Sequence, residues 1–370
     1  MIAEEISPAL VILSSVKWDF AWQRHHSLAR AAAAAGTPVV FVEPHPRALK
    51  QVASHLLRRL LGKTSTAAQA APRQRVPAGV TVLRWSPTDL FRPIHARRVR
   101  KALQHAPASL VLQYVPSRRF LAIARELGPL VHAYDRVLDW QRVPPNWHPP
   151  RGWQAVETEL EKEAALVTDS VAMQREWADR GRRSLVITPA ADDEFVQYAW
   201  SAAPATGPIG YFGTVQEHIV DLPLLCRVAA THPVEVIGDV DAVSRSQLEA
   251  AGVTVRPAVS VGELPPYIDR WSAILLPYRV GDRRDSLVPA KIWNALASGR
   301  PVLTSGLTLP ADIAQHTIPV TGESTLGDDA NPLAESLSLA AASTPMKAPS
   351  WSDAWRDLLE FAGHPLPSQA

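Results

Sequence analysis

At 370 residues, 46% apolar and 20% charged, the chain has the make-up of a globular protein and is long enough for two domains with cores of their own. One cysteine, Cys226, excludes a disulfide framework within the chain and fits a reducing, cytoplasmic compartment. No apolar run approaches the roughly 20 residues that span a bilayer, and Glu4 and Glu5 stand where a secretory leader would be basic. The net charge of +2 hides an asymmetry: residues 1–130 hold 19 Lys and Arg against 6 Asp and Glu, a balance of +13, and the remainder holds 19 against 30, a balance of −11. A basic first part suits a peripheral contact with anionic lipid at the inner face of the membrane, a phosphate-bearing acceptor, or an ordinary solvated surface. Nucleic acid is not expected, because no nucleic-acid-binding motif accompanies the charge.

Pro8–Ser15 reads as a buried strand, Ser27–Ala35 as an alanine-rich helix closed by Gly36, and Val39–Val42 as a second strand, a β-loop-α-β opening of a doubly wound domain. The loop before that helix holds Trp18, Asp19, Arg24, His25 and His26, and such a loop lies at the carboxyl ends of the strands. Arg24 and the histidines there either serve chemistry or cap the helix start. Leu49–Leu61 is an amphipathic basic helix, with either a core-facing or a lipid-facing apolar side, and 63–77 is a polar loop. Val80–Arg84 is a strand and Ile94–Gln104 a second basic helix. Leu110–Tyr114, Arg118–Leu127 and Leu130–Tyr134 read as strand, helix and strand, the last running into Asp135. A carboxylate just past a parallel strand stands where a general base belongs, though it could equally cap the next segment. Asp139 and His132 are the reserve candidates. Gln154–Ala165 carries Glu157, Glu159, Glu161 and Glu163 and reads as a solvated or salt-bridged helix; Leu185–Ile187 is the last strand of the first domain.

Residues 196–207, rich in Ala, Pro, Ser and Thr, read as a linker. Gly207, Gly210 and Gly213 open the second domain, Gly213 letting the backbone approach a phosphate or sugar, and Asp221 starts the next helix. Asp239-Val240-Asp241 has the form of a metal motif, but no metal is expected. Ala273–Leu276 is a buried strand, and Tyr278–Val288 a polar loop. Pro289 suits a helix first turn, Lys291–Ser298 is the helix, and Gly299 and Pro301 end it before a strand from Val302. A cation in a first turn, Lys291, is unfavourable unless an anion lies nearby. Trp351–Phe361 is a terminal amphipathic helix.

Pro289, Lys291, Ala297, Gly299, Pro301 and Val302 match the P-x-K-x-x-E-x-L-A-x-G-x-P-V element of GT-B glycosyltransferases. The chain resembles the bacterial envelope and exopolysaccharide transferases among them, of the teichuronic-acid and xanthan glucuronosyltransferase types. Trp18, Arg24, Leu28, Ala29 and Gly36 are similar to the start of that group, and the stretch ending at Asp135 to the strand end that carries its base. The resemblance implies an α/β fold of two doubly wound Rossmann-like domains facing a central crevice. The domains would be 1–195 for the acceptor and 208–345 for the donor, joined by 196–207, with 346–370 crossing back. It implies a nucleoside-diphosphate sugar as donor substrate, no cofactor, and a saccharide or lipid-linked acceptor. Donor binding would fall to Gly213, Tyr278, Ser286, Pro289, Ala290, Lys291 and Asn294, with Arg279, Arg283 or Arg284 helping Lys291 balance the diphosphate. The acceptor would meet Trp18, Asp19, Arg24 and His25, and Asp135 and Lys291 would be catalytic. The chain departs from the group at Asn294 and Ser286, where many relatives carry Glu. Two other readings stay open: a nucleotide-sugar epimerase of the same form and a non-catalytic nucleotide-sugar binder.

Overall fold

The computed structural model describes residues 9–19, 22–44, 75–84, 96–104, 106–141, 149–204, 206–279, 288–320 and 348–363. The helix expected at Leu49–Leu61, most of the 63–77 loop, Ser286, Arg283 and Arg284 lie outside them. The chain divides into two compact units, one of residues 1–188 with 351–370 and one of 189–350.

The first unit runs β1 (Leu10–Leu13), α1 (Arg24–Ala34), β2 (Val39–Val42), β3 (Val80–Leu83), α2 (Ala96–Ala102), β4 (Leu110–Gln113), α3 (Arg118–Leu127), β5 (Val131–Arg136), α4 (Trp153–Glu163), β6 (Ala165–Thr168), α5 (Val171–Ala178) and β7 (Ser184–Val186). Its sheet has the order β3-β2-β1-β4-β5-β6-β7, with every neighbouring pair parallel. The sequence dictates this. Runs such as Leu10–Leu13 and Val39–Val42 are apolar at every position and buried at every position, as strands covered by helices on both faces must be. Each such side chain contributes about 1.5–3 kcal/mol by leaving water. The strand order reverses between β1 and β4, so the switch point of this sheet lies at their carboxyl ends. The acidic helix α4 is salt-bridged as expected: Arg118 and Arg125 pair with Glu159, and Arg125 with Glu163. Glu157 is buried: it pairs with Arg136 at 3.2 Å and accepts from the Tyr134 hydroxyl at 2.8 Å.

The second unit holds α6 (Asp193–Gln197), β8 (Ile209–Phe212), α7 (Leu222–Ala229), β9 (Val234–Ile237), α8 (Ala242–Ala250), β10 (Thr254–Arg256), α9 (Pro265–Ile268), β11 (Ala273–Pro277), α10 (Lys291–Ala297), β12 (Val302–Ser305), α11 (Ala311–Ala314) and β13 (Ile318–Pro319). Its parallel sheet has the order β10-β9-β8-β11-β12-β13, with its switch point between β8 and β11. Asp221 caps α7 through Leu224 N–H at 3.0 Å, and Asp241 caps α8 through Val243 and Ser244, so the Asp-Val-Asp stretch serves a helix start.

The segment expected as a linker is fastened to this second unit. Phe195 is fully buried in its core, and the Trp200 indole donates to the Phe195 carbonyl at 2.8 Å. Arg300, buried and paired with Asp269, donates to the Ser201 carbonyl at 2.7 Å, and Asp269 accepts from Ser201 N–H. The passage between units falls instead at Thr188–Pro189. The final helix, α12 (Trp351–Gly363), belongs to the first unit and packs on α1. It buries Trp351, Ala354, Trp355 and Leu358, the i, i+3, i+4, i+7 stripe of an amphipathic helix. Among the described residues no helix is long and apolar enough to cross a membrane.

Candidate functional site

In the second unit Lys291 opens α10, and its side chain runs back to the carboxyl end of β8. The Nζ donates to the Tyr211 hydroxyl at 2.9 Å and to the Phe212 carbonyl at 3.0 Å, and lies 4.3 Å from the Tyr211 ring centroid and 5.9 Å from that of Tyr278. All these partners are neutral, and among the described residues no carboxylate forms a salt bridge with Lys291. An ammonium has three donors, so among the described residues one donor and the whole charge have no match. Gly213 makes room for this. Its φ of +117° lies in the region that only glycine enters freely, and a Cβ there would come 2.6 Å from Lys291 Nζ. Gly238, at the end of β9, is needed for the same turn, since a Cβ on it would collide with the Gly213 carbonyl. Tyr211, Gly213, Tyr278 and Lys291 thus meet at the switch point of the sheet.

The remaining expected donor residues divide. Pro289 is buried and its carbonyl accepts from Ile292 N–H at 2.9 Å, closing the first turn; Ala290 is exposed beside it. Asn294 departs from the ribose contact expected of it. It is buried, its Oδ1 accepts from Asp192 N–H at 2.7 Å, and its Nδ2 donates to Asp192 Oδ2 at 2.9 Å. Both ends of the amide are used to hold the start of α6 on α10.

In the first unit Asp135 is wholly buried and carries a two-point ion pair. Arg24 Nε donates to Oδ2 at 2.8 Å and Nη2 to Oδ1 at 3.3 Å. Arg24 also donates to the Ile187 carbonyl just past β7, and its guanidinium lies 5.8 Å from the Trp351 ring centroid. Burial opposes the charge of Arg24, but Asp135, Tyr114 and Asp169 together outweigh it, so the guanidinium is held above its usual value. Asp135 is therefore not the open base that its place at the strand end suggested, and Arg24 is not a surface contact for an acceptor. The pair ties α1 to β5, β7 and α12.

The other expected acceptor residues are also occupied. Trp18 is wholly buried, packed edge-on against Phe41 at 5.0 Å, and its backbone N–H donates to Glu43. Its position in an expected surface loop gave no sign of this. Asp19 pairs at the surface with Arg84 at 3.1 Å. His25 is buried, 3.0 Å from Ser15 Oγ through Nε2, with its ring 3.7 Å from that of Tyr114. Burial, with His26 and Arg24 nearby, holds its imidazole well below its ordinary value. His132 lies against Gln113, and burial lowers it to about 4; Asp139 accepts from Gln141 N–H at 3.0 Å.

The sequence passed over Asp169. It follows β6 directly, half-buried at the carboxyl end of the sheet. Burial, opposed by Arg24 and reinforced by Asp135, pushes its carboxyl up to about 6. The only available signal was its place at the end of an apolar strand, the same one that singled out Asp135.

No protein-family model matches the sequence, and no curated protein matches it. Among solved structures the chain is similar to a glycosyltransferase from Rickettsia africae, at 9% identity and a TM-score of 0.56 over 96% of this chain and 98% of that one. It is also similar to a Listeria monocytogenes protein provisionally described as a UDP-N-acetylglucosamine 2-epimerase, at 9% identity and 0.53 over 95% of each chain. At such identities the likeness shows the fold alone, two parallel-sheet α/β domains of the GT-B kind.

Proposed function

We propose that the protein is a glycosyltransferase that moves a sugar from a nucleoside-diphosphate sugar to a hydroxyl of a saccharide or lipid-linked acceptor in envelope or exopolysaccharide synthesis. The observation that carries this reading is Lys291: a cation at a sheet switch point, held among the described residues by neutral partners, with Gly213 keeping the space beside it open. Negative charge on the diphosphate grows as the glycosidic bond breaks, so a fixed ammonium favours the transition state over the ground state. The residues around Arg24 belong to the first unit, which takes the acceptor in this reading. Its basic charge suits an acceptor carried on anionic lipid at the inner face of a membrane.

The test is incubation with a panel of nucleotide sugars, with and without saccharide and lipid-linked acceptors, following release of free nucleoside diphosphate. Acceptor-dependent release supports transfer. Conversion of the donor to an isomer without release identifies an epimerase, and tight binding with neither outcome identifies a binding protein. Lys291→Ala is expected to lose donor affinity and turnover together, by roughly 1.5–3 kcal/mol for one charge-assisted contact, with little change in melting temperature. Unchanged donor binding in that variant removes Lys291 from the site.

A further inference from the structure

We propose that Asp169, and not Asp135, is the catalytic base of the first unit, with the Arg24–Asp135 pair acting as its fixed positioning support. The inference rests on the transfer reading and deepens it. Two carboxylates follow or end neighbouring parallel strands here, Asp135 on β5 and Asp169 after β6. Asp135 has no exposed surface and both of its oxygens are engaged by Arg24. A base in that state would have to break a buried ion pair before it could reach a substrate. Asp169 is half-buried, and its carboxylate is bonded to no other residue's side chain among the described residues. Asp135 lies on the strand paired with β6 and is held there by Arg24 from α1, and the charges of both act on Asp169, Arg24 favouring its carboxylate and Asp135 opposing it.

The balance of these neighbours gives the group its chemistry. Arg24 is already neutralised by Asp135, so it steadies an Asp169 carboxylate without clamping it. Burial keeps the proton affinity of Asp169 up, near 6, which suits a base working around neutral pH. In the step we assign to it, the acceptor O–H proton passes to Asp169 as the acceptor oxygen bonds to the anomeric carbon. The bond from that carbon to the diphosphate oxygen breaks, and its electron pair leaves with the nucleoside diphosphate. Asp169 later returns the proton to water.

Burial disfavours the charged carboxylate, so the fold gains nothing from its ionisation at neutral pH. A group kept at a cost to stability is a mark of a functional position. That makes the test clean. Nucleoside diphosphate release is measured between pH 5 and 9 for the wild type, Asp169→Asn, Asp169→Glu and Asp135→Asn, with thermal melting and binding of nucleoside diphosphates measured for each. Asp169→Asn is expected to melt no lower than the wild type, to bind nucleoside diphosphate equally, and to lose roughly 10²–10⁴-fold in turnover. The acidic limb of the wild-type profile, centred near 6, vanishes with it, and Asp169→Glu keeps part of the rate. Asp135→Asn is expected to lose activity only together with melting temperature. Retained turnover with an intact acidic limb in Asp169→Asn overturns the assignment, and so does a marked fall in its melting temperature, which would make Asp169 structural. A wild type that releases no nucleoside diphosphate from any donor overturns the transfer reading, and the base with it.

Discussion

Two carboxylates near the carboxyl ends of neighbouring strands carry opposite consequences for stability. Removing the charge of Asp135 leaves a buried guanidinium without its partner, and breaking such a pair costs about 3–5 kcal/mol. Asp135→Asn should therefore lower the urea midpoint sharply, whatever it does to turnover. Asp169 acts through pH. Its folded-state proton affinity is raised from the ordinary 3.8 to about 6, so its contribution to stability is complete below about pH 4 and is lost as pH rises through 6. The stability difference between Asp169→Asn and the wild type should accordingly grow by about 1–2 kcal/mol from pH 4 to pH 7, in favour of the variant. His25 and His132, both lowered by burial, push the other way on acidification but do so equally in the two proteins. A flat difference across that range removes the raised affinity of Asp169. At Gly213, a Cβ meets both a forbidden backbone angle and Lys291 Nζ, so Gly213→Ala should cost about 1–3 kcal/mol and weaken nucleotide binding as well, read from melting and titration.

The elements themselves were largely legible. Apolar four-residue runs marked the strands, Gly36 and Gly299 marked helix ends, and an amphipathic run from Trp351 marked the terminal helix. What joins distant elements was not. Arg24 and Asp135 lie 111 positions apart, and Asp192 and Asn294 lie 102 apart. No local period announces such a pair, and a polar residue reads alike whether it awaits a ligand or already holds a neighbour. That is why Lys291 opens its helix as expected while Asn294, three residues on along the same helix, was spoken for. The short basic helix α2 leaves Arg97 and Lys101 exposed. If the first unit meets anionic lipid, reversing both to Glu should weaken binding to acidic vesicles by about thirtyfold or more at low salt, read by sedimentation, since each cation near such a surface is worth about 1 kcal/mol. Binding to neutral vesicles should not change, and equal binding of the wild type to both kinds of vesicle removes the electrostatic contact.

At the scale of the whole molecule, the first unit is built from two stretches of chain with the entire second unit threaded between them. A ribosome making this protein emits 1–188 first, at about 5–20 residues per second. The matching helix α12 comes only after 162 more residues, so the wait is on the order of ten to thirty seconds. Through that interval the side of α1 that packs on α12 lacks that helix, and the buried Arg24 lacks the Trp351 ring beside it. The second unit, continuous in sequence, meets no such delay and can finish before the unit that was begun first. The nascent chain is thus a natural client for a holding chaperone until its C-terminal helix arrives, and a stop codon placed at 351 would leave that client state permanent.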